Sequence, residues 1–197
     1  MRELLFVTAQ GGRMAEAPAP DLVARAQTGD PHAIGALYDE HHAALFRYLW
    51  ARVGERQTAE ELTGDVFMRM LAALPRYRPS VTPFRAWLYR IAHNLLVDHY
   101  RKGRGQVSLP LQAAEALNSA EDPSALVEQQ LTIERVQQAL ATMDEPQRSV
   151  VALRFLGGLS LQETAAALDK SESAVKALQH RGLAALRRTL AQEKVSP

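Results

Sequence analysis

Lys176, Gln179, His180 and Arg181 lie close together in the segment LSLQETAAALDKSESAVKALQHRGLAALRR, Leu159 to Arg188, and Ser171, Glu172 and Ser173 precede them. These side chains could read a base edge. Glu accepts from cytosine N4, Gln pairs with adenine and Lys with guanine. Arg181, Arg187 and Arg188 fall further along, where contact with phosphate suits them better. A second set is Arg90, Asn94, Val97 and Arg101. They recur at steps of four, three and four, so on a helix they share one face. That face is basic and carries one amide. A third set is acidic: Glu60, Glu61 and Asp65 line a polar face suited to a basic partner.

Helices must position all three sets. LQETAAAL and the segment after it are separated by Asp169-Lys170. Ser160 stands three residues before Glu163, the spacing of a capping box, and Ser171 or Ser173 is expected to cap the helix that follows. A short helix, a tight turn and a longer basic helix form a helix-turn-helix, whose second helix enters the major groove N-terminal residues first. Val175, Leu178, Leu183 and Leu186 form its core side. The preceding helix, PQRSVVALRFL, opens on Pro146 and ends at Gly157-Gly158, and LVEQQLTIERVQQALATM comes before it.

Upstream, four further helices are expected. Asp21 suits the N-cap of the first, and Asp30-Pro31 opens the second. Thr58 is expected to cap the third, which stops before Pro75. Leu62, Val66, Met70 and Leu74 recur every four residues along it, and Phe67 and Leu71 widen that apolar stripe. The fourth runs from Phe84 to about Arg101, with Phe84, Leu88, Ile91 and Leu95 on its buried side. Trp87 is expected in the core.

The expected architecture is all-α: two small helical domains joined by a flexible linker, the second ending in the helix-turn-helix. Residues 1–20 form a disordered extension, 21–102 the first domain, 103–124 an acidic linker, 125–190 the second domain and 191–197 a tail. The 197 residues are 47% hydrophobic but only 6% aromatic, a composition that favours helices. Met14, followed by AEAPAP, is an alternative start to Met1.

Bulk composition excludes several functions. Without cysteine there is no disulfide, thiolate metal site or thiol catalysis. A net charge of +1 confines any nucleic-acid binding to local clusters. The apolar runs are too short to span a membrane, and MRELLFV is a poor signal peptide, so a cytoplasmic protein is expected. Glu40-His41-His42 and His93 with Asp98-His99 are the material for a metallohydrolase. Adjacent histidines diverge by about 100° on a helix, and His93 and His99 are badly spaced for one face, so no metal, cofactor or catalytic residue is expected.

AEELTGDVFMRMLAALPRYRP followed by FRAWLYRIAHNLLVDHYRKGRG resembles region two of extracytoplasmic-function (ECF) RNA polymerase sigma factors. DEPQRSVVALRFLGGLSLQETAAALDKSESAVKALQHRGLAALRR resembles that family's region four. The resemblance covers residues 21–190, in the family's order and separation. It implies a non-enzymatic subunit that binds core polymerase through the beta-prime clamp helices and beta flap, recognises promoter DNA and helps to melt it. Glu60, Glu61, Leu62, Asp65, Val66, Phe67 and Arg69 fall on the family's clamp-binding positions. Tyr77, Arg78, Arg90, Asn94 and Arg101 fall with the minus-10 element. Ser171, Glu172, Ser173, Lys176, Gln179, His180 and Arg181 fall with the minus-35 element. An anti-sigma factor is the further partner the resemblance implies. Between Gly105 and Gln130 the only charged residues are acidic, Glu115, Glu121, Asp122 and Glu128, and the resemblance implies that this segment passes through channels built for nucleic acid. The loop PRYRPSVTPF departs from the Gly-rich or acidic loop of many relatives, which implies a base pocket with its own preference. The rival is a helix-turn-helix regulator that never binds polymerase; it leaves the first domain without a task.

Overall fold

The computed structural model describes residues 20–103 and 123–193. Residues 1–19, 104–122 and 194–197 lie outside the described residues, and with them most of the expected extension and linker and the last part of the tail. Within those limits the chain is all-helical: α1 (Pro20–Gln27), α2 (Pro31–Val53), α3 (Arg56–Ala73), α4 (Phe84–Gly103), α5 (Pro123–Ala141), α6 (Glu145–Phe155), α7 (Leu161–Leu168) and α8 (Glu172–Glu193). The first four helices pack on one another and α6, α7 and α8 on one another, while α7 also packs on α4 and α5 on α2.

Local chemistry fixes most helix ends. Asp30 accepts from the backbone N–H groups of His32 and Ala33 at 2.9 and 3.4 Å, and so caps α2. Gly54, at φ +88°, ends α2 in the left-handed region that a side chain would resist. Two caps differ from expectation. Asp21 sits inside the first turn of α1, because Pro20 already belongs to that helix. Glu55, not Thr58, caps α3: its carboxylate accepts from Gln57 N at 3.1 Å and Thr58 N at 3.0 Å. The longer side chain reaches the free amides from an earlier position, and Thr58 becomes an interior residue.

The main core joins both domains. Leu37, Leu45, Tyr48, Leu49, Val66, Met70, Leu88 and Leu96 fill its first half; Leu153, Leu159 and Ala167 continue it from the second. The apolar stripe of α3 holds as expected at Leu62, Val66, Met70 and Leu74. A smaller core of Val150, Ala165, Val175 and Leu178 holds the helix-turn-helix together. The domains thus touch directly. Gly157 has no side chain, which lets Tyr89 of α4 seat on it; a Cβ there would lie 2.8 Å from the tyrosine ring.

Candidate nucleic-acid interfaces

The helix-turn-helix is built by local bonds. Ser160 Oγ accepts from Glu163 N at 3.1 Å, and the Glu163 carboxylate accepts from Ser160 N at 2.7 Å. Both halves of the capping box are present. Asp169 takes the left-handed conformation at φ +53°, which turns the chain. Ser171 Oγ accepts from Ala174 N at 3.2 Å and starts α8. Val175 and Leu178 then face the small core.

The opposite face of α8 is open. Ser171, Glu172, Ser173, Lys176, His180 and Arg181 are all exposed, as are Arg187 and Arg188. Gln179 is half-buried, and its side-chain oxygen accepts from Arg154 Nε at 3.1 Å. Arg154 also donates to the Leu159 carbonyl. This ties Gln179 to the loop ahead of α7, a tertiary contact that helical periodicity does not signal.

The basic face of α4 forms only in part. Asn94, Val97 and Arg101 are exposed, and Arg101 pairs with Asp98 at 3.0 Å. Arg90 is half-buried and donates to the backbone carbonyl of Ala166, in α7. Tyr77 requires a correction. It is only 5% exposed, its hydroxyl donates to the Thr82 carbonyl at 2.7 Å, and its ring packs 4.7 Å from Trp87 and 5.6 Å from Phe84. Burial pushes its hydroxyl pKa up to about 12. In this state it braces the loop before α4 and has no face free for a base. Arg78, next to it, is exposed. Trp87 is half-buried against the core.

On α3 the acidic face is exposed at Glu60, Glu61 and Asp65, with Arg69 beside it. Glu60 accepts from Arg56 at 2.9 Å and Glu61 from Gln57 at 3.1 Å. Leu62, Val66 and Phe67 are buried, which corrects their assignment to a docking surface: the same stripe cannot line the core and face a partner. Met68, 67% exposed, is the apolar residue that stands on the outer face instead. Its position off the four-residue stripe was the available signal.

The histidines are scattered. His41 lies in the core with its ring 5.5 Å from Phe84. His42 stacks on Tyr38 at 4.7 Å. His93 is half-buried and His99 packs edge-on to Tyr100. Among the described residues no group of three or more His, Asp or Glu could hold a metal ion.

Two family patterns match in order: Sigma-70 region 2 over residues 37–106 and Sigma-70, region 4 over residues 139–188. The chain is 37% identical over 177 residues to the ECF RNA polymerase sigma factor BldN of Streptomyces coelicolor, covering 88% of this chain and 66% of that protein. It is 33% identical over 157 residues to the ECF RNA polymerase sigma factor SigX of Bacillus subtilis, covering 77% of this chain and 80% of that one. Its fold is similar to CnrH, an RNA polymerase sigma factor of Cupriavidus metallidurans, solved in complex with the cytosolic domain of CnrY. That likeness has a TM-score of 0.69 at 29% identity and covers 87% of this chain and 96% of CnrH.

Proposed function

The chain belongs to the ECF sigma factors of RNA polymerase, and we infer that it joins core polymerase, recognises minus-35 and minus-10 promoter elements and promotes strand separation. The observation that carries this is the co-occurrence of two family regions with two separate faces of matching chemistry. α8 presents hydrogen-bonding side chains at its N-terminal end and cations further along, the arrangement that places a helix in the major groove. The minus-35 contacts are Ser171, Glu172, Ser173 and Lys176 at base edges, with His180 and Arg181 toward the backbone. Gln179 joins them once it leaves Arg154.

The minus-10 contacts are Arg78, Arg90, Asn94 and Arg101. Arginines hold single-strand phosphates and the amide bonds a base edge. Glu60, Glu61, Asp65 and Arg69, with Met68, form the surface for the clamp helices of beta-prime, and the beta flap meets the second domain. The subunit performs no catalysis, binds no cofactor and acts in the cytoplasm. None of the described helices is long and apolar enough to cross a membrane. The likeness to CnrH, solved with CnrY, supports an anti-sigma factor as the further partner.

The test mixes purified chain with core polymerase and a promoter library and sequences the transcripts. The expected result is a set of transcripts sharing a minus-35 and minus-10 pair at fixed distance from their starts. Duplex binding without polymerase binding or transcripts would instead identify a plain helix-turn-helix regulator.

A further inference from the structure

Prolines recur at every fourth position between α3 and α4: Pro75, Pro79 and Pro83. Each fixes its own φ, so this connection has little freedom to lose on folding. It is also bonded from within. Tyr77 N donates to the Leu74 carbonyl at 3.1 Å. Val81 N donates to the Arg78 carbonyl at 3.1 Å and closes a four-residue turn with Pro79 in its second position. Leu74, Tyr77 and Thr82 are buried, whereas Arg78, Pro79, Ser80 and Val81 are exposed. Buried anchors therefore carry an exposed turn, and Arg78 is its first residue.

One distant side chain grips this connection from behind. Gln27, the last residue of α1, donates from Nε2 to the Leu74 carbonyl at 2.9 Å and to the Tyr77 carbonyl at 2.8 Å. Both partners are acceptors, so only the NH2 end of the amide can face them, and both of its hydrogens are engaged. The Tyr77 carbonyl belongs to the planar peptide unit that joins Tyr77 to Arg78. Gln27 thus fixes the plane from which Arg78 departs. Its own base is firm. Val23 and Ala26 of α1 are each 3% exposed in the core, and Arg25 closes the end of the helix on Asp30 through Nε at 2.9 Å and Nη2 at 2.7 Å.

We propose that Gln27 is a positioning residue for the minus-10 contact: its amide holds the α3–α4 turn in the shape that presents Arg78 to single-stranded DNA. A turn ordered in advance lowers the cost of capture, because the separated strand does not have to order it. Removing the two donors leaves the Leu74 and Tyr77 carbonyls short of a partner, and the peptide ahead of Arg78 turns toward water to recover one.

Gln27 has this role only if the chain is a sigma factor, so the test lets the two readings fail separately. Gln27→Met keeps the length and removes the donors; Gln27→Lys keeps a donor group. Hydrogen exchange of residues 74–83 in the free chain, followed by mass spectrometry, should quicken in Gln27→Met and stay near the parent in Gln27→Lys. With core polymerase and a promoter recovered from the library, strand opening is read from permanganate-reactive thymines. Its rate should fall by roughly tenfold in Gln27→Met, the scale of losing hydrogen bonds that order a loop, and recover in Gln27→Lys. Affinities for core polymerase and for minus-35 duplex should not move, which a general loss of structure would not allow. On an Arg78→Ala background Gln27→Met should add little, because the two act as one unit. Circular dichroism checks folding, and where Gln27→Met does not fold, Gln27→Glu carries both readouts. A folded Gln27→Met that keeps the parent exchange or the parent opening rate overturns the proposal, as does a full tenfold loss on top of Arg78→Ala. Failure of the parent chain to bind polymerase, with exchange that still responds to Gln27→Met, would overturn the sigma reading and leave Gln27 as the brace of the turn.

Discussion

Tyr77 and Arg78 are neighbours with opposite placements, one in the core and one in solvent. Tyr77→Ala should cost about 3 kcal/mol of stability, the range for deleting a buried aromatic, and reduce activity only as the fold is lost. Arg78→Ala should leave urea unfolding unchanged and weaken promoter binding. Unfolding curves run beside transcription assays separate the two. The sequence reveals an aromatic beside a cation, but the burial of Tyr77 depends on Thr82, Phe84 and Trp87 closing around it. His41 gives a pH prediction. Burial and then the nearby Arg85 pull its pKa from 6.5 down to about 4. The unfolded chain therefore binds a proton that the folded chain refuses between those values. Stability is full above about pH 6.5 and falls as pH drops toward 4, by roughly 3 kcal/mol for this residue. Denaturant titrations at several pH values should show that slope, and His41→Gln should flatten it.

Elements with local signals were the most legible. The capping box of Ser160 and Glu163 and the start at Asp30-Pro31 depend on residues a few positions apart, so spacing alone gave them away. Ser160→Ala should cost about 1 kcal/mol and lower the melting temperature, read by circular dichroism. The cap at Glu55 was hidden because a Glu is an uncommon choice where Thr58 offers an ordinary one. On α3 the sequence carried two incompatible assignments for Leu62 and Val66, core stripe and docking face. Burial decides for the stripe. Polymerase binding should therefore be insensitive to conservative core changes and sensitive to the acidic face. Glu61→Lys with Asp65→Lys should weaken association with core polymerase at least tenfold in a pull-down titration, with the unfolding curve preserved, because like charges across an interface cost several kcal/mol.

At the scale of the molecule, a net charge of +1 hides a strongly uneven distribution. The exposed cations Lys176, Arg181, Arg187 and Arg188 lie on α8 and Arg101 on α4, while the exposed carboxylates Glu60, Glu61 and Asp65 lie on α3. Duplex affinity should fall steeply with salt, and Arg181→Ala should reduce the slope of log affinity against log salt by about 1. The two-domain plan was legible from composition and periodicity, whereas the direct contact between the domains was not. It depends on Gly157, which reads in sequence as a helix stop, on Arg90, which reads as part of a basic face, and on Arg52 and Arg85, which no local pattern singles out. The shared core also gives the molecule a history in time. The chain is made at about 5–20 residues per second, so α7 leaves the ribosome several seconds after α4. During that interval Arg90 has no Ala166 carbonyl to meet and Tyr89 no Gly157 to seat on, so this side of α4 stays in water until the second domain arrives.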